Sequence, residues 1–254
     1  RMPRLPGPRT MTVAPGLVLV TGAAGFVGRA CVDALLRAGH RVRRVLRSAG
    51  PRVEGVEDIV TGDLVDVVDW SDAMRGVDAV VHLAARVHVM RETVADPSAV
   101  FRRINVDVTR RLAEAAARAG VRRFVFVSSA KVQGEHSAGR PFTEADPPAP
   151  EDAYGESKRD AEAALAGIAA STRLEVAILR PPLVYGPGVG GNLHTLLRAV
   201  ARGVPLPVGA VRNRRSLVFV GNLADAIVRC IESPAAAGRT FLVDDGEPRS
   251  TAQL

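Results

Sequence analysis

Apolar runs too short for helices alternate along most of the chain with stretches whose apolar spacing has a helical period. LVLVT (17–21) is a continuous apolar run leading into glycine-rich sequence, which predicts a buried strand. FVGRACVDALLRAG (26–39) has helical spacing and closes at Gly39, a plausible C-cap. RVRRVL (41–46), EDIVTGD (57–63) and DAVVHLA (78–84) predict three more strands, with a short helix near 66–75 before the last. A longer helix is expected over about 97–119, ending at Gly120, then a strand at RRFVFVSS (122–129). A helix beginning in DAYGESKRDAEAAL (152–165) runs to about 170, and LEVAILR (174–180) returns as a strand. This alternation predicts an α/β fold: a doubly wound parallel sheet with helices on both faces.

Beyond RPPLVYGPGVGGN (180–192) the rhythm loosens. A helix near 193–202, a short strand near 206–208, SLVFV (216–220), a helix at 222–232 and TFLVDD (240–245) predict a smaller lobe over the end of the sheet. The expected division is a disordered leader at 1–15, a nucleotide-binding domain at 16–180 and a substrate lobe at 181–254, interleaved with the last sheet strands. Ser250 or Thr251 has the character of an N-cap whose helix does not continue, so this lobe is expected to be truncated or naturally short.

Composition adds limits. A hydrophobic content of 47% with 24% charged residues is ordinary for a soluble globular protein. No apolar run approaches the roughly 20 residues that span a bilayer. The Pro- and Arg-rich start lacks the apolar region of a signal peptide, so a cytoplasmic protein with no membrane partner is expected. The net charge of +7 raises the question of nucleic acid, but the arginines are scattered and no nucleic-acid motif occurs. Attraction of anionic small ligands is the better reading. Cys31 and Cys230 stand far apart without metal-ligand spacing, so no metal site is expected and both read as buried thiols.

VTGAAGFVGRA places Gly22, Gly25 and Gly28 between the first strand and the first helix. The first glycine permits a tight turn, the second lets amides approach a pyrophosphate, and the third allows close helix–sheet packing. With the helix N-terminus at Phe26 and Val27 offering unpaired amides, this is a Rossmann-type dinucleotide site. The second strand ends at Leu46–Arg47, where an acid would bind the ribose hydroxyls of NAD. A guanidinium there suits a 2′-phosphate, which tilts the NAD(P) cofactor toward NADP. Asp63, followed by Leu64, is a candidate adenine contact, while Leu83, Ala84 and Ala85 of HLAA border the pyrophosphate and nicotinamide ribose.

The chain has two lysines and two tyrosines, and Tyr154 and Lys158 fall four apart, on one helix face. A free phenol is a poor base at neutral pH, and a nearby ammonium is expected to lower its pKa. Ser129 closes the fifth strand, where a parallel sheet presents groups to ligand, and can share a substrate oxygen with Tyr154.

TGAAGFVG, GDL, HLAA, VSSAKVQGE, YGESK, RPPLVYGPG and RRSLVFV together resemble the short-chain dehydrogenase/reductase superfamily, in its extended branch of nucleotide-sugar epimerases, dehydratases and reductases. The resemblance runs from about 17 to 250. It implies that Tyr154 is the catalytic acid/base, that Lys158 holds the nicotinamide ribose and tunes Tyr154, and that Ser129 holds the reacting oxygen. It places Pro181 at the cofactor and Asn105, Asn192 and Arg215 at the sugar nucleotide, and it suggests a homodimer through the helices near 97–119 and 153–170. His82 and His88 are the weaker acid/base candidates. Family dehydratases carry an acidic pair after the serine, where this chain has Ala130 and Lys131, so dehydration is disfavoured. Lys131 itself reads as a diphosphate or sugar contact or as a surface lysine. Two reactions at C4 of a UDP-sugar remain, 4-epimerisation and reduction of a 4-keto sugar, by resemblance in surface-polysaccharide (O-antigen) sugar supply. Leu183, where galactose epimerases carry a sugar-binding Asn, weakens the case for UDP-galactose. A non-catalytic NADP-sensing protein of the same fold is the alternative.

Overall fold

The computed structural model describes residues 13–87, 96–137, 139–205, 211 and 213–253. Most of the expected leader and the strand expected near 206–208 lie outside them. Seven parallel strands form the main sheet in the order β3-β2-β1-β4-β5-β6-β9. They are β1 (Leu17–Thr21), β2 (Arg41–Leu46), β3 (Val56–Val60), β4 (Ala79–His82), β5 (Arg123–Val127), β6 (Glu175–Arg180) and β9 (Arg239–Leu242). The strand order reverses between β1 and β4, the switch point at which doubly wound sheets bind ligands.

Each apolar run feeds two cores because successive side chains leave the sheet on opposite faces. Val18, Val20, Val81, Val125 and Leu179 face α1 (Phe26–Arg37) and α7 (Val220–Glu232), where Cys31, Leu35, Leu223 and Ile227 complete one core. Leu17, Leu19, Val80, Phe124 and Phe126 face the other, built by Trp70, Met74 of α2 (Ser71–Met74), Leu112 of α4 (Val108–Arg118) and Leu165 of α5 (Ala153–Ser171). This two-sided burial is why the strands read as continuous apolar runs. The cysteines are both buried, and burial raises the Cys31 thiol pKa to about 12 and that of Cys230 to about 11.

The structure differs from the sequence pattern in three places. The helix expected over 97–119 begins as α3 (Pro97–Phe101), capped by Asp96, whose carboxylate accepts from the Ala99 amide at 3.0 Å. It passes through a π-helical turn at Arg102–Asp107 before continuing as α4. The helix expected at 222–232 forms as α7, but lies on the main sheet beside α1, and β9 extends that sheet past β6. A strand not anticipated, β7 (Leu183–Tyr185), pairs in parallel with β8 (Leu217–Phe219) as a separate two-stranded sheet, with α6 (Gly191–Ala201) between them in sequence. No helix among the described residues is long and apolar enough to cross a membrane.

Candidate active site

The glycine turn forms where β1 gives way to α1. Gly22 has φ +71°, and a Cβ on it would lie 2.7 Å from the Ala84 amide nitrogen. The turn and the HLAA segment are therefore in direct backbone contact, and Leu83 and Ala84 are tied to Thr21 through its carbonyl and hydroxyl at 3.2 and 3.4 Å. At Gly28 a Cβ would lie 2.1 Å from the Gly22 carbonyl oxygen, so α1 sits against the turn as closely as a glycine allows. The N-terminus of α1 has no side-chain cap and no acid in its first turn. The amides of Phe26, Val27 and Gly28 thus face out of a helix of positive polarity, and these residues fit a dinucleotide pyrophosphate.

Arg47 and Asp63 meet past the ends of β2 and β3 in an exposed ion pair at 3.4 Å. Asp63 also accepts from the Val65 amide at 3.1 Å, and it lines a cavity of about 400 Å³ with Val65, Ala99, Arg103 and Ile104. Leu64 packs on the core beneath. The guanidinium that tilts the sequence reading toward NADP is therefore already paired with a carboxylate.

Ser129, Tyr154 and Lys158 are brought together from β5 and α5. The Ser129 side chain lies near enough to the Tyr154 hydroxyl to lower its pKa, and it accepts from the Lys131 amide at 3.2 Å. Its turn is fixed to the end of β6, where the Ala130 amide donates to the Pro181 carbonyl at 2.9 Å, placing Pro181 beside it. Asp152 caps α5 by accepting from the Gly155 amide at 2.7 Å, which sets the helix carrying both Tyr154 and Lys158. Lys158 is 2% exposed; it donates to the Val127 carbonyl at 2.9 Å and stands 4.6 Å from the centroid of the Phe126 ring and 5.9 Å from that of Tyr154.

The tyrosine differs in direction from the sequence expectation. Burial, and then the nearby Asp152 charge, push the Tyr154 pKa up to about 12, against the lowering effects of Ser129 and Lys131. Burial also lowers the Lys158 pKa, to about 7, and its amine donates to the Val127 carbonyl.

Asn105 also differs from its expected role as a substrate contact. It is 1% exposed in the π-helical turn; its carbonyl oxygen accepts from the Arg86 amide at 2.8 Å, and its amide donates to the Arg86 carbonyl at 3.0 Å and to Ser157 Oγ at 2.9 Å. Ser157 in turn donates to the Tyr154 carbonyl at 2.7 Å, so Asn105 joins the loop after β4 to the catalytic helix. His82 is buried between Thr21 and Thr109, at 2.6 and 2.9 Å, and burial with the Lys158 charge lowers its pKa to about 3. It is a neutral link beneath the site rather than an acid/base. His88 lies outside the described residues. Asn192 is exposed in the first turn of α6, and the exposed Arg215 pairs through its backbone with Arg249 at 2.8 and 2.9 Å. Among the described residues, neither bonds to the Ser129–Tyr154–Lys158 group.

Several supports escaped sequence reading. Phe101 packs edge-on against the Tyr154 ring with centroids 6.2 Å apart, and the Arg86 guanidinium lies 5.8 Å from the centroid of Phe101. Arg180 makes a buried bidentate pair with Glu162, one turn beyond Lys158, at 3.0 and 2.5 Å. Phenylalanine spacing and a lone buried acid carry no signal that distinguishes them from ordinary core and surface positions.

A parallel sheet in this order, with a glycine turn at its switch point and a Ser–Tyr–Lys group beside it, defines a nicotinamide-dependent enzyme of the short-chain dehydrogenase/reductase class. Within that class the chain belongs to the NAD dependent epimerase/dehydratase family, whose model matches residues 18–243. It is 44% identical over 243 residues to a UDP-glucose 4-epimerase of Vibrio cholerae, covering 94% of this chain and 74% of that protein. The structure of MoeE5 in complex with UDP-glucuronic acid and NAD is similar with a TM-score of 0.82 at 33% identity, over 93% of this chain and 79% of that one. The enzyme WbmG of Bordetella bronchiseptica in complex with NAD aligns with a TM-score of 0.76 at 26% identity, over 96% and 76% of the two chains.

Proposed function

We propose that the protein is an NAD-dependent UDP-sugar 4-epimerase. The observation that carries this reading is the convergence of Ser129, Tyr154 and Lys158 beside the glycine turn, in a chain whose relatives include a UDP-glucose 4-epimerase. In this reading Tyr154 removes the proton from the C4 hydroxyl of the sugar and later returns it, while Ser129 holds the same oxygen by a hydrogen bond. Bound NAD takes the C4 hydride and gives it back to the opposite face of the keto sugar. Lys158 supplies a compact donor to the nicotinamide ribose, and its proton is easily exchanged because burial holds its pKa near neutrality, at about 7. NAD is preferred to NADP because Arg47 is already paired with Asp63 and because the similar structures hold NAD. UDP is taken from the same relatives. Residues 183–219, with the two-stranded sheet and α6, form the sugar-binding part in this reading.

Release of the cofactor from denatured protein, followed by an assay with UDP-glucose and UDP-galactose, tests the proposal. Expected are bound NAD, interconversion of the two sugars without net consumption of cofactor, and a loss of about 10³-fold in turnover for Tyr154→Phe with NAD still retained. Stoichiometric oxidation of added NADPH by a 4-keto sugar would make the protein a reductase instead. No turnover by the wild type, with nucleotide binding unchanged in Tyr154→Phe, would mark a nucleotide sensor.

A further inference from the structure

Lys131 occupies the place after the site serine where an acid would serve dehydration, and it is one of two lysines in an arginine-rich chain. Its Nζ lies 2.6 Å from Asp152 Oδ2 and 2.6 Å from Glu135 Oε1. Asp152 uses its other oxygen to cap α5, and the Lys131 amide donates to Ser129 Oγ at 3.2 Å. The backbones also touch, since a Cβ on Gly155 would lie 2.8 Å from the Lys131 carbonyl oxygen. One residue thus joins the turn carrying Ser129 to the first turn of the helix carrying Tyr154.

We propose that Lys131 is a positioning residue for the reaction at Tyr154: its ammonium closes the Ser129 turn onto the start of α5 and neutralises the Asp152 carboxylate, two residues from the tyrosine. The inference rests on the reading of Tyr154 as the acid/base. The charges oppose one another at that hydroxyl, where Asp152 raises the phenol pKa and Lys131 lowers it. Several other charged groups around α5 have partners of their own. Lys158 donates to Val127, Glu162 pairs with Arg180, and Asp160 is shared by Arg102 and Arg159. Arg86 stands beyond Phe101, and His82 is neutral beneath Lys158. Lys131 and Asp152 are thus a bonded pair whose two charges act in opposite directions at Tyr154. An arginine at position 131 keeps the charge but carries a planar fork, which matches two divergent carboxylates less well than a compact ammonium.

Charge-specific variants distinguish this from a merely structural clamp. The chain has two tyrosines, so in a Tyr185→Phe background the near-ultraviolet titration of tyrosinate reports Tyr154 alone, without any sugar. Lys131→Met is expected to delay that titration, Asp152→Asn to advance it by about one pH unit, and the double variant to return it toward the parent. The pH at which UDP-glucose and UDP-galactose interconversion rises should move in the same order, with Lys131→Arg, which keeps the charge, between wild type and Lys131→Met. Unchanged titration in Lys131→Met and Asp152→Asn, or a rate lowered equally at every pH, overturns the proposal and leaves Lys131 as a structural clamp. Should Tyr154→Phe remain active, the acid/base reading itself fails, whatever the titrations show.

Discussion

At Lys158 the needs of folding and of chemistry oppose each other. Its amine is buried against the faces of Phe126 and Tyr154, and the same desolvation that lowers its pKa from 10.5 to about 7 disfavours the charged, folded state. Below about pH 7 both folded and unfolded chains hold this proton and the folded state bears the full cost. Between about 7 and 10.5 the unfolded chain binds a proton that the folded chain releases, so this group makes stability rise with pH. Lys158→Met is therefore expected to melt higher than wild type at pH 6, with the difference shrinking toward pH 9, while losing catalysis. Thermal melts across that range check it; a variant less stable at every pH would show that the bond to Val127 outweighs desolvation. The Tyr154–Lys158 pair was legible because helical spacing alone puts both residues on one face. The direction of the tyrosine's shift was not, because it depends on burial and on Asp152, which in sequence is one more acid before a helix.

Strands β1 to β6 and helices α1, α4 and α5 were legible because burial on both sheet faces, or on one helix face, leaves a period in the sequence. β7 was missed because it is three partly exposed residues between two prolines and Gly186, too short to show a period. The π-helical turn was missed because apolar spacing runs through it unbroken; its effect is to turn Asn105 toward the Arg86 backbone, and such turns recur at functional sites. The tight turn at Gly22 and the close helix packing at Gly28 were legible, and they carry a prediction for α1 as a unit. In Gly28→Ala the new methyl would meet the Gly22 oxygen and the Ala23 backbone, neither of which has a flexible end to move. α1 must shift from the turn, at a cost of about 2 kcal/mol, and its amides move from the pyrophosphate position. Expected are a melting point lower by about 4–8 °C and the loss of any further rise on adding NAD. A variant that still gains stability from NAD like wild type would place the pyrophosphate elsewhere.

Across the whole molecule, the last quarter of the chain returns to the sheet it left. The sequence suggested a lobe interleaved with the last strands but not the partners, since α7 joins α1 and β9 joins β6 across long separations in sequence. A polar link between the two sheets is Asp245, just past β9, beside the apolar packing of Val184 and Val218 on the main core. Its carboxylate accepts from Tyr185 Oη of β7 at 2.9 Å, from the Phe219 amide of β8 at 3.0 Å and from Asn222 Nδ2 of α7 at 2.8 Å, and its own amide donates to the Leu217 carbonyl at 2.9 Å. This side chain therefore bonds to β7, β8 and α7 at once. Removing it takes the partner from the Tyr185 hydroxyl and from a strand amide. The glycine turn follows β1, which β4, β5 and β6 separate from β9 in the main sheet. Asp245→Ala is accordingly expected to weaken binding of the sugar nucleotide, raising its KM about tenfold or more, while NAD affinity stays within about twofold of wild type. Asp245→Asn, which keeps an acceptor for Tyr185, should fall between. Calorimetric titration of each variant with NAD and with UDP-glucose separates the two effects. A parallel loss of NAD binding would mean that the two-stranded sheet and the cofactor half fold and bind as one inseparable unit.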